Sequence, residues 1–222
     1  DRNTGENLFV VKGVKGSLSG AVNTLDSSQN CTANLTGLDG QKYYRTPCAA
    51  NSTVNGTDQW LLHVVNAGTT NVKQVQFFDQ LPTAGDKYLV ASETSRGSAY
   101  RPQLLDDLKV LGAPTGTTKT IEVTTVTTDA NACVGTWDSL PGGWSGDAGS
   151  GACSANKWTK ASSYTDSASA TGILVTLDFT TSTDGALKPG ECADVTYSTK
   201  NVVSSATDTT GASSSIPATD QF

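Results

Sequence analysis

The sequence holds one histidine, and only 16% of its 222 residues are charged. A Ser-His-Asp triad would have to be built on His63, and no Gly-x-Ser-x-Gly elbow is present to raise a nucleophile beside it. His63 sits in the run WLLHVV on the strand face of Leu61 and Val65, so a hydrogen-bonded sheet histidine is expected there, not a catalytic base. Walker and dinucleotide glycine motifs are missing. No Cys-x-x-Cys pair exists, which speaks against zinc and thioredoxin-type sites. No apolar run approaches the ~20 residues of a membrane span. Lys and Arg are not clustered and the net charge is −6, which disfavours nucleic acid and anionic membranes as partners. Neither a signal peptide nor a sorting tail is visible, so the chain reads as a mature protein or an excised fragment. The expectation is a chain that is not a turnover enzyme and carries no cofactor and no metal.

Helical periodicity is nearly absent as well. What the sequence has instead is Thr, Ser, Gly, Asn and Asp around short runs of Val, Ile, Phe and Tyr. Those runs predict strands over Leu8–Val14, Gln59–Val65, Val72–Leu81, Tyr88–Glu93, Lys119–Thr128, Gly172–Thr180 and Cys192–Val203. One short helix is predicted over Gln103–Leu111, where Leu104, Leu105, Leu108 and Leu111 recur at three- and four-residue steps. Gly16–Asp58 and Ala130–Thr171 read as loops inserted in a single β-sandwich domain over 1–203, followed by a Ser/Thr/Ala-rich tail over 204–222.

Each predicted loop carries two of the five cysteines. Local disulfides Cys31–Cys48 and Cys133–Cys153 are expected, leaving Cys192 buried and free or paired outside the chain. Cysteines in polar loops favour an oxidising, exported setting. The first loop also carries four Asn-x-Ser/Thr sequons, at Asn30, Asn34, Asn51 and Asn55. The second holds Trp137, Trp144 and Trp158, which read either as a small core under the loop or as a sugar- or protein-binding surface. Two carboxylate groupings, Asp106 with Asp107 and the run Asp138–Asp147, read as a solvated face and a loop before they read as a glycosidase pair or a calcium clasp.

The segment Trp60–Pro82 reads WLLHVVNAGTTNVKQVQFFDQLP, and Leu187-Lys-Pro-Gly-Glu followed by CADVTYSTKN comes much later. That order of Asn-x-Gly, Asp-x-Leu-Pro and Leu-x-Pro-Gly-Glu resembles the repeat domains of bacterial surface proteins often called DUF11-like. It is also similar to the CnaA-like domains of Gram-positive pilins and adhesins, actinobacterial ones included. The opening VVKGVKG resembles their first strand, and the likeness runs from about Leu8 to Val203, interrupted by the two cysteine loops. The resemblance implies an immunoglobulin-like (CnaA-like) sandwich in a stalk anchored to the cell wall, outside the cell. Its partners would be adjacent domains and a surface protein or glycan on a host or neighbouring cell. It further implies an intramolecular isopeptide bond from Lys12 to Asn201, with Asp79 as proton shuttle.

Strand alternation provides an independent test of that triad. Lys12 shares a face with Leu8, Val10 and Val14; Asp79 with Val75, Phe77 and Leu81; Asn201 with Val195, Tyr197, Thr199 and Val203. Each strand thus sets one polar group among apolar or β-branched neighbours. Burial disfavours the charged form of an amine and of a carboxylate alike, which suits nucleophilic attack on a carboxamide. Other assignments stay open. Lys15 could supply the amine, a one-residue slip would turn Asn201 to water, and Asp79 could serve the turn before Leu81-Pro82. The leading expectation is a structural or adhesive module; the alternative is a carbohydrate-binding module using the tryptophans of 130–171.

Overall fold

The computed structural model describes residues 7–82, 102–124 and 170–201, together with the backbone of 159–160. It is all-β. Among the described residues thirteen strands follow in order: β1 (Leu8–Lys15), β2 (Ala21–Asn23), β3 (Leu35–Thr36), β4 (Lys42–Tyr43), β5 (Cys48–Ala50), β6 (Thr57–Asn66), β7 (Gln74–Gln80), β8 (Gln103–Leu104), β9 (Lys109–Leu111), β10 (Thr118–Thr124), β11 (Thr159–Lys160), β12 (Gly172–Asp178) and β13 (Cys192–Lys200). A 3-10 turn at Phe179–Thr181 is capped by Asp178, whose side chain accepts from the Thr180 N–H.

The chain divides into two compact units. One comprises Asp1–Gln76, Leu105–Thr120 and Thr176–Lys200; the other comprises Phe77–Leu104, Ile121–Val175 and Asn201–Phe222. In the first unit β6 is the middle strand, antiparallel to β1 on one side and β13 on the other. β9 lies antiparallel on β13. The register runs Lys12–Leu62–Val195 across one row and Val14–Trp60–Tyr197 across the next. Val64, Leu62, Trp60, Ala193, Val195 and Tyr197 share one face by alternation and are all buried. β2 with β5, and β3 with β4, form two small antiparallel sheets.

The second unit buries Phe77, Leu81, Leu104, Val123, Ile173, Leu174 and Val175. There Thr171 links two neighbours. Its C=O accepts from the Leu81 N–H and its own N–H donates to the Thr124 C=O.

The expected strands appear at Leu8, Gln59, Lys119, Gly172 and Cys192, and the one at Val72 begins at Gln74; the expected ends at Thr128 and Val203 lie outside the described residues. Tyr88–Glu93 lies outside the described residues.

The helix expected over Gln103–Leu111 is not there: its ends are the strands β8 and β9. A nine-residue helix is marginal by itself, and the outer edge of β13 offers unpaired backbone groups. Leu105 N–H donates to Ser198 C=O, and Asp107 accepts from Ser198 N–H at 2.8 Å. Val110 then registers with Val195. The Gly16–Asp58 segment is likewise more ordered than a loop, since it contains β2 to β5 and the Cys31–Cys48 disulfide.

Candidate functional site

Three of the motif residues at one end of the first unit are explained by backbone chemistry. Asn66 is fully buried and its Nδ2 donates to the carbonyls of Thr70 (2.9 Å) and Leu187 (2.8 Å), while its Oδ1 accepts from Gly68 N–H. Its own N–H donates to Glu191 C=O, and its C=O accepts from Gly190 N–H. Gly190 has φ +83°, a backbone region that a side chain resists. Glu191 Oε2 accepts from Lys188 N–H at 2.7 Å, which closes the Lys-Pro-Gly-Glu turn. The Asn-Ala-Gly and Leu-Lys-Pro-Gly-Glu motifs are therefore two halves of one corner.

Lys12 lies in the first unit, whereas Asp79 and Asn201 belong to the second. Lys12 is half-buried, with Nζ 4.6 Å from the centre of the Trp60 ring. Trp60 stacks on Tyr197 at 6.5 Å between centroids and 19° between planes. Its indole N–H donates to Thr199 Oγ1 at 2.9 Å, a buried bond. Lys12, Trp60, Tyr197 and Thr199 therefore share the apolar face of the β1–β6–β13 sheet. Asn201 follows β13 with the parity of Tyr197 and Thr199. It is 4% exposed, and Asp79 is 1% exposed. Lys15 is exposed on the strand parity opposite to Lys12, where its ammonium donates to Gln41 Oε1 at 2.6 Å.

On the opposite face stands a polar cluster built round Asp194. This carboxylate is 0% exposed near the start of β13. Its Oδ1 is 2.5 Å from Nδ1 of His63, its register partner on β6, and its Oδ2 accepts from Leu38 N–H at 2.6 Å. His63 is 18% exposed, and Asp194 is its hydrogen-bond partner among the described residues. The pair ties the turn between β3 and β4 to the sheet. Tyr43, buried on β4, donates its hydroxyl to Asp39 Oδ2 in the same turn. Burial first, and the adjacent Asp39 and Asp194 carboxylates after it, hold the Tyr43 hydroxyl well above the ordinary tyrosine range.

Asp194 was passed over in the sequence, although a charged residue inside the run CADVTY, facing the one histidine of WLLHVV, was a readable signal. Asp58 is similar: it is buried, accepting from Ser17 N–H (3.1 Å) and Ser52 Oγ (2.5 Å), and holds two loop segments together.

The Cys31–Cys48 disulfide forms, with Cα atoms 5.8 Å apart. Cys192 is free and half-buried. The Cys133–Cys153 pair, the tryptophans Trp137, Trp144 and Trp158, and the run Asp138–Asp147 lie outside the described residues. Asn30, Asn34 and Asn55 are exposed, and the Asn51 amide donates to Ser19 C=O. Among the described residues no group of three or more His, Cys, Asp or Glu could hold a metal ion, and no helix is long and apolar enough to cross a membrane. No family model, no curated protein and no solved structure matches the chain.

Proposed function

We propose that the chain is a structural and adhesive module of a Gram-positive cell-surface protein, an immunoglobulin-like domain in a cell-wall-anchored stalk. In this reading it is self-crosslinked by an isopeptide bond between Lys12 and Asn201. The observation that carries it is the placement of Lys12. Its ammonium stands on the apolar face of the sheet against Trp60, and the last strand on that same face leads directly into the buried Asn201. Asp79 is buried as a proton shuttle requires.

The reaction balances without an outside reagent. Asp79 takes the proton from the Lys12 ammonium, and the free amine adds to the Asn201 side-chain carbon. The Asn201 amide nitrogen then leaves as ammonia, carrying protons relayed through Asp79, and a Lys12–Asn201 amide remains. Fixed geometry replaces a bimolecular encounter. The step happens once and has no turnover. Joining the first long strand to the last would keep shear from peeling them apart, which suits a domain pulled between neighbours.

Intact mass of the fully reduced protein tests it. The expected mass is that of the sequence less one ammonia, and Lys12→Ala, Asp79→Ala and Asn201→Ala each restore the full mass. A reduced wild-type protein at the full sequence mass would remove the crosslink.

A further inference from the structure

β1 is the edge of its sheet, and its outer side is closed only in part. Val14 exchanges both backbone bonds with Tyr44, N–H to C=O in each direction at 2.8 Å, so its polar groups point away from β6. At the other end, Asn7 C=O accepts from Ala67 N–H, beyond the end of β6. Backbone groups alternate along a strand. Those of Phe9, Val11, Gly13 and Lys15 therefore bond β6, while those of Leu8, Val10 and Lys12 point outward like Val14. Among the described residues nothing pairs with the outward groups of Leu8 and Val10. The side chains of Leu8, Phe9 and Val10 are exposed, Phe9 at 53%. Leu8–Val11 contains no charge, and the β1–β6 register is unbroken by a bulge. The devices that usually protect an edge are missing from this stretch.

We propose that the Leu8–Val10 edge pairs antiparallel with the same edge of a second copy of the chain. The register that fits is centred on Phe9. It sets Leu8 opposite Val10 of the second copy, so outward groups meet outward groups and each pair exchanges two N–H to C=O bonds. Phe9 then faces Phe9 in the closer, non-hydrogen-bonded position, where cross-strand side chains pack best. A second copy suits this edge better than a long foreign strand, because the open stretch ends where Tyr44 closes Val14. Its lack of charge lets identical segments meet without repulsion. The two-fold contact uses this edge of both copies, so it closes at a dimer. The interface is small and belongs to the weak, transient class; tethering of copies at a surface would raise their effective concentration. The proposal stands independently of the stalk reading.

Sedimentation equilibrium on the full chain tests it. A reversible dimer is expected, tightening with salt as the net charge of −6 is screened. Val10→Pro deletes an outward donor and leaves the β6 bonds in place; it should weaken the dimer about tenfold or more. Phe9→Glu and Phe9→Lys should each abolish it, and an equimolar mixture should restore a heterodimer because position 9 faces itself. Thermal unfolding of each monomer checks the fold, and if Val10→Pro does not fold, the exposed Phe9 pair decides alone. The proposal is overturned by a chain that stays monomeric to about 1 mM. A dimer lost on reduction or in Cys192→Ser overturns it, as does one indifferent to the Phe9 changes or not restored by the mixture.

Discussion

The two faces of the β1–β6–β13 sheet are both covered, but by different physics. One face carries Leu62, Val64 and Trp60 on β6 with Ala193, Val195 and Tyr197 on β13, an apolar set whose attraction needs no particular orientation. The other carries His63, Asp194, Thr196 and Ser198 beside Leu61. Here the β3–β4 hairpin comes close enough that a Cβ on Gly13 would lie 2.7 Å from Tyr43 Cβ and 2.8 Å from Leu35 Cδ2. That close approach is fixed by the directed bond from Leu38 N–H to Asp194, which His63 holds in place. An apolar contact that is trimmed loses only its own area. A pinned carboxylate that loses a partner leaves a charge in a dry place, and the cost passes to what remains.

The sharpest test sets one residue from each face against the other. His63→Leu strands the 0% exposed Asp194 carboxylate, which then keeps the Leu38 N–H, and should destabilise the fold by about 3–5 kcal/mol. The double change His63→Leu with Asp194→Leu should recover a large part of that loss. Leu62→Ala on the apolar face, at a fully buried position, should cost about 3 kcal/mol. Urea unfolding of the four proteins gives the comparison. If the double variant is no more stable than His63→Leu, the two faces do not differ in the way described.

The next effect is the disulfide. Cys31–Cys48 spans 17 residues and encloses β3 and β4, so it restrains the hairpin that Asp194 pins. Replacing both cysteines with serine should remove about 3 kcal/mol, mostly by freeing the unfolded chain. Hydrogen exchange should then show Leu38 and Tyr43 losing protection before Leu62 and Val195. Uniform loss across both faces would contradict a hairpin held separately from the core.

Much of this was legible in the sequence, and the failures share a cause. Gln74–Gln80 follows from period-two burial, and Cys192–Lys200 from the alternation of Ala193, Val195 and Tyr197 with polar residues, although both of its faces are buried. The loop disulfide followed from cysteines placed among turn residues. Leu104, Leu105, Leu108 and Leu111 misled because helical spacing over nine residues is a weak local preference, and an open strand edge far along the chain, 91 residues away at Ser198, overruled it. His63 was seen but its partner was not, because a pair 131 residues apart leaves no local mark. The short strands of the first cysteine segment were hidden for a related reason: two-residue pairings such as Leu35 with Tyr43 are too brief to show a period. Asn66 was noticed only as part of a motif, though its five hydrogen bonds to the corner are a sufficient physical reason for it.

The smallest expected effect probes the pinned face at high pH. Tyr43 is buried and gives its hydroxyl proton to a bond with Asp39, with Asp194 adding negative charge nearby, so the folded protein resists its ionisation. In the unfolded chain the same hydroxyl ionises near the ordinary value of about 10. The folded value is the higher one, so the contribution is complete below about pH 10 and drains away as the pH rises from there toward the folded value. The native state should thus lose stability in alkali with a slope that Tyr43→Phe reduces. Ultraviolet titration gives a second reading: Tyr43→Phe should remove one tyrosine from those that stay un-ionised until the near-ultraviolet circular dichroism collapses. If all six tyrosines ionise while that signal is intact, the hairpin opens in alkali without unfolding the sheet. The polar face would then be the less stable of the two, although its bonds are individually the stronger.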